Sequence, residues 1–216
     1  MKYFDELKRS MEWLGEKPDT LFIGQAVEVA GTGMSNTLED VAKEKLIEFP
    51  VCEDMQMGFT NGLALAGDNV PVSIFPRWNF LLLATNQIVN HLDKIPEMSE
   101  YRPKVIIRTS IGSERPLHPQ HQHVGDYTDS FKLMAPNIEV VRLNEPEEIF
   151  ESYQKAYERE DGKSTILVEW GTIIMKNEGK VDISFLMSSI KRYEDFGINF
   201  VSSICQLLKG SKYTFE

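Results

Sequence analysis

The chain has 216 residues, 42% of them hydrophobic and 26% charged, with a formal net charge of −10. That length holds one sizeable α/β domain, or one domain with an appendage, and the acidic balance excludes nucleic acid and anionic membrane as main partners. Two distant cysteines, Cys52 and Cys205, give no disulfide framework, and no run nears the ~20 apolar residues of a membrane helix, so a cytoplasmic setting is expected.

At the N-terminus Phe4, Leu7, Met11 and Leu14 fall at helical spacing, ending near Gly15 and Pro18. TLFIG (20–24) is a short apolar run closed by glycine, the form of a buried strand. Residues 25–36 form a polar loop, IEFPV (47–51) a second strand, and Asp54 to Ala66 a helix. VPVSIF (70–75) follows as a third strand and Asn79 to Leu92 as a second long helix. KVIIRT (104–109) is the next strand, then a polar loop, a short helix near Asp126 to Met134 and the strand IEVVRL (138–143). PEEIFESYQKAYERE carries Pro146 and acidic residues in its first turn, as a helix start does. STILVEW (164–170) closes the series.

Strands alternating with helices imply an α/β fold, a mostly parallel sheet flanked by helices on both faces. Residues 1–175 are expected to form this domain, and 176–216 a helical C-terminal extension with no clear strand.

Five stretches carry a resemblance, in unbroken order over about residues 20–170. They are FIGQAVEVAG, FPVCEDMQMGFTNGLALAG, PVSIFPRWNFLLLATNQIVN, VIIRTSIGSERPLHPQHQH, and the closing strand, helix and strand from Pro136 to Trp170. Together they resemble the pyrimidine-binding, transketolase-like domain of thiamine-diphosphate-dependent enzymes. The likeness is specifically to the beta subunit of the pyruvate-dehydrogenase-type 2-oxo acid decarboxylating component, without its C-terminal domain. GDN at 67–69 is not the Gly-Asp-Gly…Asn metal pattern of the diphosphate-binding domain. The resemblance therefore implies a separate alpha-type subunit that holds Mg²⁺ and the diphosphate, in a heterotetramer with two copies of each chain.

In that family a glutamate after the second strand hydrogen-bonds a ring nitrogen of the aminopyrimidine, favouring the imino tautomer that removes the thiazolium C2 proton. Residue-by-residue matching places it at Glu53 rather than Asp54. Such general acid–base work needs apolar surroundings, expected here from Phe49, Val51, Cys52, Met55, Met57 and Phe59. The residues alone also allow a plain helix-start carboxylate. Phe80 matches the family's stacking phenylalanine, with Phe75 and Trp78 nearby. Arg77 occupies the preceding aromatic position, a departure that suits a substrate carboxylate or phosphate, or an acidic group of the partner.

PLH at 116–118 resembles the family's histidine string, so His118 is the candidate for proton transfer and substrate binding. His118, His121 and His123 also raise the alternative of a small metal-binding protein, although no Cys or acidic cluster completes such a site. Gln25 stands where the family carries an acidic residue, and it suits a hydrogen bond to the cofactor or to a neighbouring carboxyl. The implied function is cofactor activation for attack on a 2-oxo acid or ketose carbonyl, active only with the partner. The alternative is a non-catalytic scaffold or regulatory protein.

Overall fold

The structure is a computed structural model that describes residues 2–29, 31–112 and 122–171. The C-terminal extension expected over 176–216 and the loop residues His118 and His121 lie outside these. In chain order the elements are α1 (Tyr3–Gly15), β1 (Thr20–Gly24), α2 (Gly33–Asn36), β2 (Leu46–Glu48), α3 (Glu53–Leu65), β3 (Val70–Ile74), α4 (Trp78–Leu81), α5 (Ile95–Met98), β4 (Ile106–Ile111), α6 (Thr128–Met134), β5 (Glu139–Arg142), α7 (Pro146–Glu158) and β6 (Thr165–Trp170). The strands form one six-stranded sheet in the order β2-β1-β3-β4-β6-β5, with every pairing parallel.

Side chains of a strand alternate between faces, and the core divides accordingly. Phe22, Val72, Ile106 and Leu167 meet Leu7, Met11 and Leu14 of α1 and Ile149 and Tyr153 of α7. Their strand neighbours Phe75, Ile107, Ile166 and Val168 meet Met57 of α3, Leu81, Ile88 and Phe131. Because both faces are covered, the strands read as continuous apolar runs rather than alternating ones. Pro71 lies within β3, where a missing N–H would ordinarily break the ladder. The Val70 N–H bonds Asp19 O on the β1 side, so residue 71 faces β4, whose pairing begins only at Val72. No ladder bond is lost.

The long helix expected from Asn79 to Leu92 is broken into α4, a 3₁₀ turn at Leu82–Ala84 and a π-helical segment at Gln87–Leu92. The Asn61 side-chain amide donates to the Gln87 carbonyl at 3.0 Å, and at the end of the π-helical segment the Asp93 N–H reaches back five residues to Ile88 O. β2 stops at Glu48, short of the expected Val51, ahead of Pro50. No helix among the described residues is long and apolar enough to cross a membrane.

A buried polar network crosses the sheet. The fully buried Arg108 of β4 donates from Nε to Glu169 Oε1 at 2.5 Å and from Nη2 to Oε2 at 3.1 Å. Its Nη1 donates to Thr37 Oγ1 at 2.7 Å, and the Tyr153 hydroxyl donates to Glu169 Oε1 at 2.5 Å. Burial, then the Glu169 carboxylate, push the Tyr153 phenol well above its ordinary value. Removing one partner of such a pair leaves a buried charge uncompensated. Glu169→Ala is therefore expected to lower the unfolding free energy by about 3–5 kcal/mol, whereas replacing Arg108 and Glu169 together by methionine restores most of it. Urea denaturation measures both, and a single-variant loss below about 1 kcal/mol would show that the pair stabilises little.

Candidate active site

In open α/β sheets, ligands bind beyond the carboxyl ends of the strands where the strand order reverses. Here the reversal lies at β1: the chain goes outward to β2 and then back across to β3. Gly24, at the end of β1, is in register with Glu48 on one side and Ile74 on the other. Residues just beyond these three strand ends therefore share one crevice, and Gln25, Glu53 and the segment from Phe75 to Phe80 are among them.

α3 carries its inward face on Glu53, Gln56, Met57, Thr60 and Asn61, a helical repeat of buried positions. Gln56 seats that helix. Its Nε2 lies 3.1 Å from Ser73 Oγ and 3.0 Å from Ile74 O, with Ile23 O at 3.4 Å. Thr60 Oγ1 donates back to Gln56 O, at 2.8 Å, and lies 3.1 Å from Ser73 Oγ. One amide thus ties the first turn of α3 to the ends of β1 and β3. The helix consequently begins at the crevice, and its first residue, Glu53, faces in.

Glu53 is 5% exposed. Its Oε1 accepts a hydrogen bond from Gln25 Nε2 at 3.1 Å, and no cation among the described residues pairs with it. The positive end of α3 faces the carboxyl group. The shield differs from the one expected. Val51 and Cys52, which precede α3, are exposed, as are Met55 and Phe59, which helical geometry turns away from the face that carries Glu53; of the residues expected, Met57 is buried on that face. Burial of the acid comes instead from the seating of α3 on the sheet.

Beyond β3, Phe75 and Trp78 are fully buried. Trp78 packs on Phe131 with ring centroids 4.8 Å apart. Phe80 is half-buried and stacks on the imidazole of His123, at 5.1 Å and an interplanar angle of 14°. His123 reaches it because the chain returns over Gly112: a Cβ on that glycine would lie 1.8 Å from His123 O. Arg77 is half-buried and its guanidinium has no hydrogen-bond or ion-pair partner among the described residues, while burial pulls its pKa below the ordinary guanidinium value. The structure therefore joins Gln25 to Glu53 and Phe80 to His123. Gln56 was not marked by any motif, its one available signal being its position three residues after Glu53 on the same helical face; His123 was marked only as one of three loop histidines that could hold a metal, not as the partner of Phe80.

Residues 8–170 match the family model of the transketolase pyrimidine-binding domain. The chain belongs to that family. Its fold is similar to that of transketolase from Campylobacter jejuni (TM-score 0.61, 16% identity, covering 78% of this chain and 25% of that one). It is likewise similar to transketolase from Leishmania mexicana (0.59, 15%, 78% and 25%). A split-gene transketolase described as an inactive β4 tetramer shows the same likeness (0.59, 18%, 78% and 51%). The chain thus spans about half of the split-gene subunit and a quarter of the undivided enzymes. Curated protein sequences yield no match.

Members of this family bind thiamine diphosphate, and the residues of the crevice fit its aminopyrimidine. A buried carboxyl held, among the described residues, by a single amide keeps acceptor capacity for a ring nitrogen, and the half-buried Phe80, backed by the buried Phe75 and Trp78, offers aromatic surface. The GDN string at 67–69 precedes β3 at the opposite end of the strands, with Asn69 Nδ2 directed to Leu63 O. A carboxyl buried without a cation favours binding over stability. Glu53→Gln keeps an acceptor for Gln25 and is expected to raise the unfolding free energy by about 1 kcal/mol at neutral pH. Urea denaturation of the isolated chain measures this, and a comparable loss of stability would contradict it.

Proposed function

We propose that this chain is the pyrimidine-binding subunit of a split thiamine-diphosphate-dependent enzyme acting on a 2-oxo acid or a ketose. The observation that carries the proposal is Glu53, a buried carboxyl with one amide partner and no cation among the described residues, at the strand-order reversal. When bound, thiamine diphosphate supplies a carbon nucleophile for a substrate carbonyl. Glu53 binds the pyrimidine nitrogen and holds or yields a proton there, a contribution of about 10²–10⁴ in rate for general acid–base work. Gln25 fixes the carboxyl, and Phe80, backed by His123, offers the ring a flat apolar face. Arg77, a cation without an acceptor among the described residues, is assigned to an anionic group of the substrate, and His118 to the substrate side on the family string.

Activity requires a second, diphosphate-binding chain that also holds Mg²⁺, with two copies of each in a cytoplasmic heterotetramer. The description of the split-gene relative as an inactive β4 tetramer supports this dependence. Purification of both chains together, followed by thiamine diphosphate titration and C2-proton exchange, tests the proposal. The pair is expected to bind the cofactor in a Mg²⁺-dependent manner, the isolated chain weakly, and Glu53→Gln to slow exchange at least ~100-fold. Tight Mg²⁺-dependent binding by the isolated chain, or unchanged exchange in Glu53→Gln, overturns it.

A further inference from the structure

The turn that leaves β1 carries the one non-glycine residue with positive φ among the described residues, Ala26 at +56°. An L-residue with a Cβ is disfavoured there, and such strain persists only where neighbouring contacts enforce it. The enforcing group is Glu48. Its Oε1 accepts the Ala26 N–H at 2.6 Å and its Oε2 the Glu28 N–H at 3.0 Å, so one carboxylate bridges two amides of the turn. Glu48 is the last residue of β2 and lies in register with Gly24.

The two sides of the turn are also fixed. A Cβ at Gly24 would lie 2.8 Å from Ile74 O, so the strand end is pressed against β3, and Val27 is 4% exposed within the core. Gln25 alone in this turn directs its side chain to the crevice, where it binds Glu53.

We propose that Glu48 is a positioning residue: by clamping the left-handed turn at Ala26 it aims the Gln25 amide at Glu53 and so fixes the catalytic carboxyl. The inference concerns the geometry of this chain and rests on the preceding reading only for its catalytic consequence. A carboxylate that merely caps a surface turn would share the two backbone bonds but leave Gln25 unaffected.

The first measurement needs no cofactor. In the ¹⁵N-labelled isolated chain, the Gln25 side-chain amide is assigned by its loss in Gln25→Ala, and its hydrogen exchange is followed. Glu53→Ala and Glu48→Ala are each expected to accelerate that exchange at least ~10-fold. Because glycine adopts positive φ freely, Ala26→Gly added to Glu48→Ala should recover most of the protection without the clamp. Unchanged Gln25 exchange in Glu48→Ala overturns the proposal. If Glu48→Ala does not fold, the Glu48→Ala/Ala26→Gly variant decides, since failure of the glycine to restore a folded chain with a protected Gln25 amide also overturns it.

A second measurement uses the complex with the diphosphate-binding chain. Glu48→Ala and Gln25→Ala are expected to slow C2-proton exchange by a similar factor, about 10-fold, and the double variant no further, because the first acts through the second. Additive losses overturn the positioning role. A wild-type complex that binds no thiamine diphosphate would instead overturn the proposed function and leave the amide result standing.

Discussion

Parallel pairing of β1 with both β2 and β3 is the constraint from which the rest of this molecule follows. Each parallel connection must cross back over the sheet, and here the chain goes from β1 outward to β2 and then from β2 past β1 to β3. The strand ends between those crossings have no connection lying over them, and the gap they leave becomes the crevice. Gly24, bracketed by Glu48 and Ile74, marks its floor. The chemistry is thus located by topology before any side chain is considered, and the side chains then decide what the location does.

Two buried carboxylates of this domain, Glu169 and Glu53, are handled in contrasting ways. Glu169 is satisfied completely, by both arms of a guanidinium and by a phenol. It makes the sheet rigid, and it offers nothing to a ligand. Glu53 receives a single amide bond and the end of a helix. The difference lies in the partners each receives: α7 and the chain near Thr37 close over β4 and β6 around Arg108 and Glu169, whereas among the described residues Glu53 is met by the Gln25 amide alone. A buried acid with spare acceptor capacity is tolerable only if something else completes it.

Strands were legible because burial on both faces turns them into unbroken apolar runs, and TLFIG, VPVSI and TILVEW stand out on that basis alone. Order and spacing of five short strings were enough to place Glu53. What the sequence hid depends on side-chain direction. Asn79 to Leu92 has an unbroken helical composition, yet it divides into a short helix, a 3₁₀ turn and a π-helical segment, the last of which meets the long-range amide of Asn61. Met55 and Phe59, apolar residues close to Glu53 in sequence, fall at helical spacing on the far side of α3 from it. Gln56 carries no motif, yet it seats the helix. Neighbourhood along the chain was a poor guide to neighbourhood in space wherever a helix rotated residues apart.

The sheet order also dictates when parts of the chain can settle. β5 touches the sheet only through β6, which inserts between it and β4. During synthesis, therefore, residues 139–142 emerge from the ribosome before the strand that will hold them exists. Until Thr165–Trp170 has been made and threaded into its slot, the growing polypeptide exposes the bare flank of β4, with α7 held by α1 but not yet by the strand it will cover. A transcript cut short ahead of residue 165 would yield not a smaller version of this fold but a sticky edge, and protection by chaperones matters most during those last steps of elongation.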